Sequence, residues 1–278
     1  MNPYLEMISA KANENFRKSD KDYLKDGLYY CGVCNEPKQT FVTLPGTSEN
    51  KIVPVACECS KKEENELKQK ENNQKIKKEK EECFSGVRAF SQTFENDDQT
   101  NKDISNKLKE NYVLNFEQYR KKGIGVLLCG GTGTGKTFLA RATGHALIEK
   151  GYRGKEINLS VVYSDTCYSA EKKAEFLKEL LLKHFIIIDD LGTERQSEAI
   201  NEFVYIVINT LYEHQIPVIY TSNIALNQFK NPNGDTSIAR IFSRIYGSTL
   251  NFEVNNGNKR LDDLRKIHSL WTDNSTKV

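Results

Sequence analysis

The chain has 278 residues, 38% of them hydrophobic, enough for one full core and a smaller module, hence two unequal domains. Forty Lys and Arg against 38 Asp and Glu leave a net charge of +2, which excludes a global positive field for nucleic acid or membranes and makes any such contact local. The opening MNPYLEMISAKANENF lacks a basic segment leading into an apolar core, and no apolar run approaches the roughly 18 residues of a membrane span; the expectation is a soluble cytoplasmic protein whose seven cysteines stay reduced.

The first feature along the chain is a cysteine pattern. Cys31 and Cys34 stand in CGVC, Cys57 and Cys59 in CEC, and the 22 residues between the pairs include PKQTFVTLPGTSENKIVP, a hairpin-like span. Four thiolates on two short knuckles suit tetrahedral Zn²⁺, although the second pair is tighter than the usual C-x₂-C, and metal binding would fold a module too small for a core of its own. Ser60 to Glu82 is dense in both signs of charge, without Gly or Pro and apolar only at Leu67 and Ile76; it reads as a solvated helix or mobile linker. The expected domains are a zinc-binding module over 1–59, a charged helical linker over 60–83 and a larger domain over 84–278.

Beyond the linker, helix and strand patterns alternate. Residues 103–121 have helical spacing, and Ile124 to Cys129 form a short apolar strand in which Cys129 packs a core. Phe138 to Lys150 reads as a helix stopped at Gly151, Ile157 to Tyr163 as a strand, Ala170 to His184 as a helix, and Phe185 to Asp189 as an apolar strand ending in acid. Ser197 to Gln215 is a helix with Ile200, Phe203, Val204, Val207 and Leu211 on one face. Val218 to Thr221 is another strand, and Ser248 to Val254 a further one. Strands apolar on both faces that alternate with helices predict an α/β fold with a mostly parallel, doubly covered sheet. Cys83 and Cys167 receive no role.

The densest signal is GGTGTGKT, in which Gly130, four residues, then Gly135, Lys136 and Thr137 match the phosphate loop G-x-x-x-x-G-K-[ST] between a strand and a helix. Its glycines permit positive φ and turn N–H groups toward an anion at a helix N-terminus. Lys136 is expected on the β and γ phosphates and the Thr137 hydroxyl on Mg²⁺. FIIIDDLGTER then supplies Asp189 for the metal shell and Asp190 as general base for the attacking water, with Glu194 a rival base four residues on. Asn223, in PVIYTSN, is placed to bond that water or the γ-phosphate. Arg240 and Arg244 share a helix face in SIARIFSRIYG, from which two cations could reach a neighbouring subunit's γ-phosphate; Arg260, in GNKRLDDLRK, could touch phosphate in its own subunit, and a solvated surface role is the alternative for each.

Taken in order and at these distances, GGTGTGKT, FIIIDDLG, YTSN and ARIFSRIYG resemble the AAA+ ATPases, and within them the DnaC/DnaI-type replicative helicase loaders and the related IstB transposition helpers. The resemblance runs from about Phe84 to His268, and FSQTFEND looks like the lead-in segment that the family keeps near the adenine. It implies a P-loop AAA+ sheet in which Gly130, Gly131, Thr132, Gly133, Thr134, Gly135, Lys136, Thr137 and Phe138 bind ATP. Asp189 and Asp190 become the Walker B pair, Asn223 sensor 1, Arg244 the arginine finger and Arg260 sensor 2. After Asn223 only 55 residues remain, too few for a full helical lid, as in the loader branch. The zinc-bearing front is similar to loaders of the DnaI sort and departs from IstB. The implied function is an ATP- and Mg²⁺-dependent loader that grips a hexameric replicative DNA helicase through its front module, self-associates through its ATP sites and delivers the helicase to single-stranded DNA. The alternatives are an IstB-like transposition helper acting on duplex DNA, or a zinc adaptor with a nucleotide-switch site. A net charge this small leaves only a weak counterion-release contribution. Binding to single strands should therefore be preferred over duplex and fade with salt; tight duplex binding that survives high salt in anisotropy titrations favours the transposition helper instead.

Overall fold

A computed structural model describes residues 18–43, 50–166, 169–192, 197–232 and 237–257; Cys167, Glu194 and Arg260 lie outside the described residues. The chain divides into two compact units, Met1–Lys75 and Ile76–Val278.

The first unit is built from two antiparallel hairpins. β1 (Tyr23–Lys25) and β2 (Leu28–Tyr30) pair across a turn whose Asp26 and Gly27 take φ of 53° and 77°, the twist-matched turn that glycine makes accessible. β3 (Gln39–Thr43) and β4 (Asn50–Pro54) pair with Phe41 opposite Ile52, the hairpin expected between the cysteine pairs. Among this unit's described residues only Leu28, Cys31 and Cys57 are buried, so apolar burial alone leaves it marginal. The charged stretch is helical: α1 (Glu58–Cys83) carries surface pairs such as Lys68 with Glu64 at 2.5 Å, one turn apart on the helix.

In the second unit the single helix expected over 103–121 is broken into α2 (Lys102–Asn106), a π-helical segment (Lys107–Val113) and α3 (Phe116–Arg120). Leu108 and Val113, five residues apart, are both buried, and the wider π turn brings that spacing onto one face. Then follow β5 (Gly125–Cys129), α4 (Lys136–Glu149), β6 (Gly154–Ile157), α5 (Leu159–Thr166), α6 (Ala170–Leu181), β7 (Phe185–Leu191), α7 (Glu198–Glu213), β8 (Val218–Ser222), α8 (Leu226–Lys230), α9 (Ser237–Gly247) and β9 (Thr249–Glu253). The strand expected over Ile157–Tyr163 is a correction. Only Ile157 ends a strand, and α5 starts two residues on, because the Asn158 carboxamide oxygen accepts the Ser160 and Val161 N–H groups and caps a helix.

The five strands are parallel in the order β6-β7-β8-β5-β9. Alternation divides the three central strands, β7, β8 and β5, between two cores. Val126, Leu128, Ile187 and Ile219 pack with Leu139, Ala140 and Leu147 of α4; Leu127, Cys129, Ile186 and Ile188 pack with Phe203 and Val207 of α7 and Ile245 of α9. Cys129 is a core residue, and its burial pushes the thiol up to about 12. The chain packs closely where β5 meets β8. A Cβ on Gly125 would stand 1.9 Å from the Val218 carbonyl oxygen, and backbone on both sides cannot yield. Gly125→Ala should lower the thermal midpoint by about 2–10 °C, whereas Gly247→Ala, with nothing within 4 Å of the added carbon, should leave it in place; calorimetry on the two variants checks the contrast.

Candidate nucleotide site

The loop Gly130–Gly135 joins the end of β5 to the start of α4, at the carboxyl edge of the parallel sheet. Gly133 and Gly135 take φ of 80° and 100°, open to residues without a Cβ. At Gly130 a Cβ would meet the Val254 carbonyl oxygen at 2.2 Å, so the strand-to-loop corner accepts only glycine. Four of the loop's six carbonyls are occupied. Lys136 Nζ donates to the Gly130 and Gly131 oxygens at 2.9 and 2.6 Å, Thr134 Oγ1 to the Gly131 oxygen at 3.0 Å, Asn101 Nδ2 to the Thr134 oxygen at 3.0 Å, and the Leu139 N–H to the Gly135 oxygen. The N–H groups of Thr132, Gly133 and Gly135 donate to nothing among the described residues. Unmet donors at a helix N-terminus fit a polyphosphate. These three residues border a cavity of about 340 Å³ that Lys136, Thr137, Phe138, Asp190 and Asn223 also line.

The acidic side is organised by Thr221. Its hydroxyl donates to Asp189 Oδ1 at 2.6 Å and accepts the Asp190 N–H at 2.9 Å, while Thr137 Oγ1 donates to the same Asp189 oxygen at 2.9 Å. Thr137 and Asp189 thus stand together as a hard cation such as Mg²⁺ requires, a hydroxyl beside a carboxylate. The β7–β8 register slips between Ile188 and Leu191, and Asp190 there has φ 56°. This left-handed residue turns a side chain that regular alternation would send elsewhere into the cavity that it lines. Asn223 Oδ1 accepts from Lys136 Nζ at 2.9 Å, so the expected lysine, acids and amide converge on one cavity.

Three cavity residues were not among the expected ligands: Gln92, Asn96 and Asp98, all within FSQTFEND or just beyond it. Arg141 Nη1 donates to Gln92 Oε1 at 2.8 Å and its Nε to Glu156 at 2.7 Å; burial holds the Glu156 carboxyl above the usual carboxylate range against the pull of that arginine. Thr221 and Asn101 also escaped the motif reading, the first quoted in YTSN without a role.

Arg244 is not part of this cavity. Its guanidinium lies 5.5 Å from the Tyr205 ring and 5.6 Å from the Tyr212 ring, both on α7, and it shares a crevice with Gly123 and Val218, where β5 and β8 begin. The phosphate loop lies where β5 ends, about 16 Å of strand away. One guanidinium nitrogen, Nη1, is buried without a hydrogen-bond partner. Arg240 is exposed.

In the first unit the sulfurs of Cys31, Cys34 and Cys59 lie within 4.8 Å of one another. Cys57 departs from the expected foursome. It precedes α1 at the helix start, and its sulfur turns to Ser60 Oγ at 3.4 Å. The knuckles are tied by Cys31 N–H to the Glu36 carbonyl and by Glu58 N–H to the Glu36 carboxylate at 2.6 Å. Backbone N–H groups of Glu36 and Cys59 hold the Cys34 thiol below its ordinary range, while the adjacent Cys34 sulfur pushes Cys59 up to about 12. Thiols so close that one ionises at the other's expense fit a shared cation such as Zn²⁺.

Comparisons with known proteins bear on the nucleotide-binding part of the chain. Residues 61–266 match the model of the family described as IstB-like ATP binding protein. A relative from Sinorhizobium fredii (strain NBRC 101917 / NGR234), named as an insertion sequence ATP-binding protein, is 27% identical over 150 residues, 50% of this chain and 47% of its own; the match spans about half that relative's length. Among solved structures the DnaC helicase loader is similar with a TM-score of 0.51 at 22% identity, over 60% of this chain and 99% of that one. DnaI is similar with a TM-score of 0.50 at 22% identity, over 63% of this chain and 94% of that one. With a family match over 206 of its 278 residues, the chain belongs to the IstB-like ATP binding proteins and is an ATPase of the AAA+ P-loop class.

Proposed function

We propose that this ATPase is a helicase loader, which engages a hexameric replicative DNA helicase through its first unit and places it on single-stranded DNA. The observation that carries this reading is the cysteine trio ahead of residue 61, where the family match begins: the chain adds these residues to the shared ATPase core. The core's likeness to a chain named as a helicase loader agrees with it. A transposition helper is the second reading, favoured by the insertion-sequence relative. The purified chain mixed with the purified hexameric helicase from the same genome decides between them. A complex that needs residues 1–59 supports the loader; no complex, with duplex DNA bound instead, supports the helper.

The nucleotide with its Mg²⁺ supplies the transferable phosphoryl group and the countercharge that makes it electrophilic. The loop N–H groups hold phosphate oxygens, and Lys136 exchanges the Gly130 and Gly131 carbonyls for the γ end. Thr137 and Asp189 hold the metal's shell, with Thr221 fixing the carboxylate. Asp190 accepts the proton of the attacking water at its carboxylate, and Asn223 orients that water. Since Arg244 stands at the opposite edge of its own sheet, it serves a neighbouring subunit, and hydrolysis depends on assembly. Binding then favours the assembled complex and hydrolysis its release. Cys31, Cys34 and Cys59 would hold Zn²⁺, and Cys57 would join them only by leaving Ser60; Arg260 would touch phosphate in its own subunit.

Two outcomes test these assignments. Lys136→Ala and Arg244→Ala should each be nearly inactive, since fingers of this kind are worth roughly 10³ to 10⁵ in rate where measured. Mixed, they should regain partial ATPase at interfaces that pair an intact loop with an intact arginine, and a mixture as dead as its components while both still assemble removes Arg244 from the reaction. Metal analysis should find about one zinc per chain, lost in Cys34→Ser. A metal-free preparation whose first unit stays folded in chelator would falsify the zinc site.

A further inference from the structure

Asn101 immediately precedes α2, where asparagine ordinarily caps a helix with its side chain. It makes no such cap bond. The side chain is instead 5% exposed and spans to the phosphate loop 33 residues on, with Nδ2 on the Thr134 carbonyl oxygen at 3.0 Å. Its Oδ1 accepts from Asn256 Nδ2, which also donates to the Thr100 carbonyl oxygen at 2.7 Å. Both amide orientations are forced, because a backbone carbonyl only accepts and each must face an NH₂ group.

The peptide between Thr134 and Gly135 is the one that this bond holds. Gly133 and Gly135 flank it at positive φ, so it has the freedom to flip, which would turn the Thr134 carbonyl into the cavity and the Gly135 N–H out of it. A carbonyl there repels phosphate where an N–H attracts it. Thr134 is itself 6% exposed, and water has little access to take over the bond.

We propose that Asn101 is a positioning residue for the nucleotide: its buried amide pins the Thr134–Gly135 peptide with N–H inward, and Asn256, three residues beyond β9, orients Asn101 through its oxygen. The proposal rests on the nucleotide reading of this cavity. It makes the loop's anion affinity sensitive to a residue on the far side of the sheet's edge strand, although Asn101 and Asn256 touch no phosphate.

The test is the affinity of the full chain for ATP and ADP by titration calorimetry, with ATPase kinetics and thermal melts alongside. Asn101→Ala should weaken both nucleotides about tenfold and raise KM with kcat within about twofold, the pattern of lost uniform binding. Asn101→Asp, the same size but acceptor-only, should bind more weakly than Asn101→Ala, because a carboxylate faces the Thr134 carbonyl. Asn256→Ala should weaken binding about threefold, and the double alanine variant no further than Asn101→Ala alone, since one residue acts through the other. Asn101→Asp binding as wild type, or additive losses in the double variant, overturns the proposal. Should the Asn101 variants fail to fold, Asn256→Ala with wild-type affinity overturns it equally. A wild-type chain that binds neither nucleotide instead removes the reading of the cavity itself.

Discussion

A loop that lines one cavity with the N–H groups of Thr132, Gly133 and Gly135 must send its carbonyls elsewhere, and each carbonyl directed inward would oppose the anion that the donors attract. Much of the surrounding structure answers that constraint. The Gly130 and Gly131 oxygens are held by the loop's own lysine, the Gly135 oxygen by the following helix, and the Thr134 oxygen by a segment that precedes β5. The glycines supply conformations, but conformational freedom alone would let the loop populate useless arrangements as readily as useful ones. Preorganisation comes from the partners of the carbonyls, and these are spread from residue 101 to residue 139.

The acids obey a related logic. In a regular strand Asp189 and Asp190 would face opposite sides of the sheet. The irregularity at the β7 terminus brings both to the same task, one bonded to Thr137 and the other lining the cavity. Thr221 on the neighbouring strand joins them, its hydroxyl accepting from one acid's backbone while donating to the other's side chain. Because β8 lies between β5 and β7, a polar residue at its end reaches both the loop and the acids. The strand order itself therefore makes Asn223 a neighbour of Lys136.

Legibility in the sequence followed the range of the interaction. The loop, the acidic strand end and the amide were readable because each has a fixed local spacing beside an apolar run. The parallel sheet was readable from strands apolar on both faces. Asn101 was not, since a bond between residues 101 and 134 leaves no periodicity in either segment. INLSVVY was read as strand because its valines favour one, and the cue that decided otherwise was a single capping asparagine. The π turn was hidden because a five-residue core spacing is neither helical nor alternating. At the cysteine knuckles the pattern named four sulfurs, whereas position at the start of α1 gives Cys57 a different neighbour.

The setting of Arg244 carries a consequence for energetics. Two ring contacts stabilise its guanidinium by roughly 0.5 to 2 kcal/mol each, while one buried donor without an acceptor costs about 1 to 3 kcal/mol. The two ranges overlap, so neither the ring contacts nor the buried nitrogen alone decides the setting of this side chain. An anion that approaches α9 would offer Arg244 Nη1 the acceptor that it lacks among the described residues, and so would draw the arginine out of its crevice. Its withdrawal bares two tyrosine faces on α7 at the same moment, and the surface that remains is aromatic and uncharged where it had been cationic. Departure of one side chain thus changes what the helix face offers to whatever lies against it.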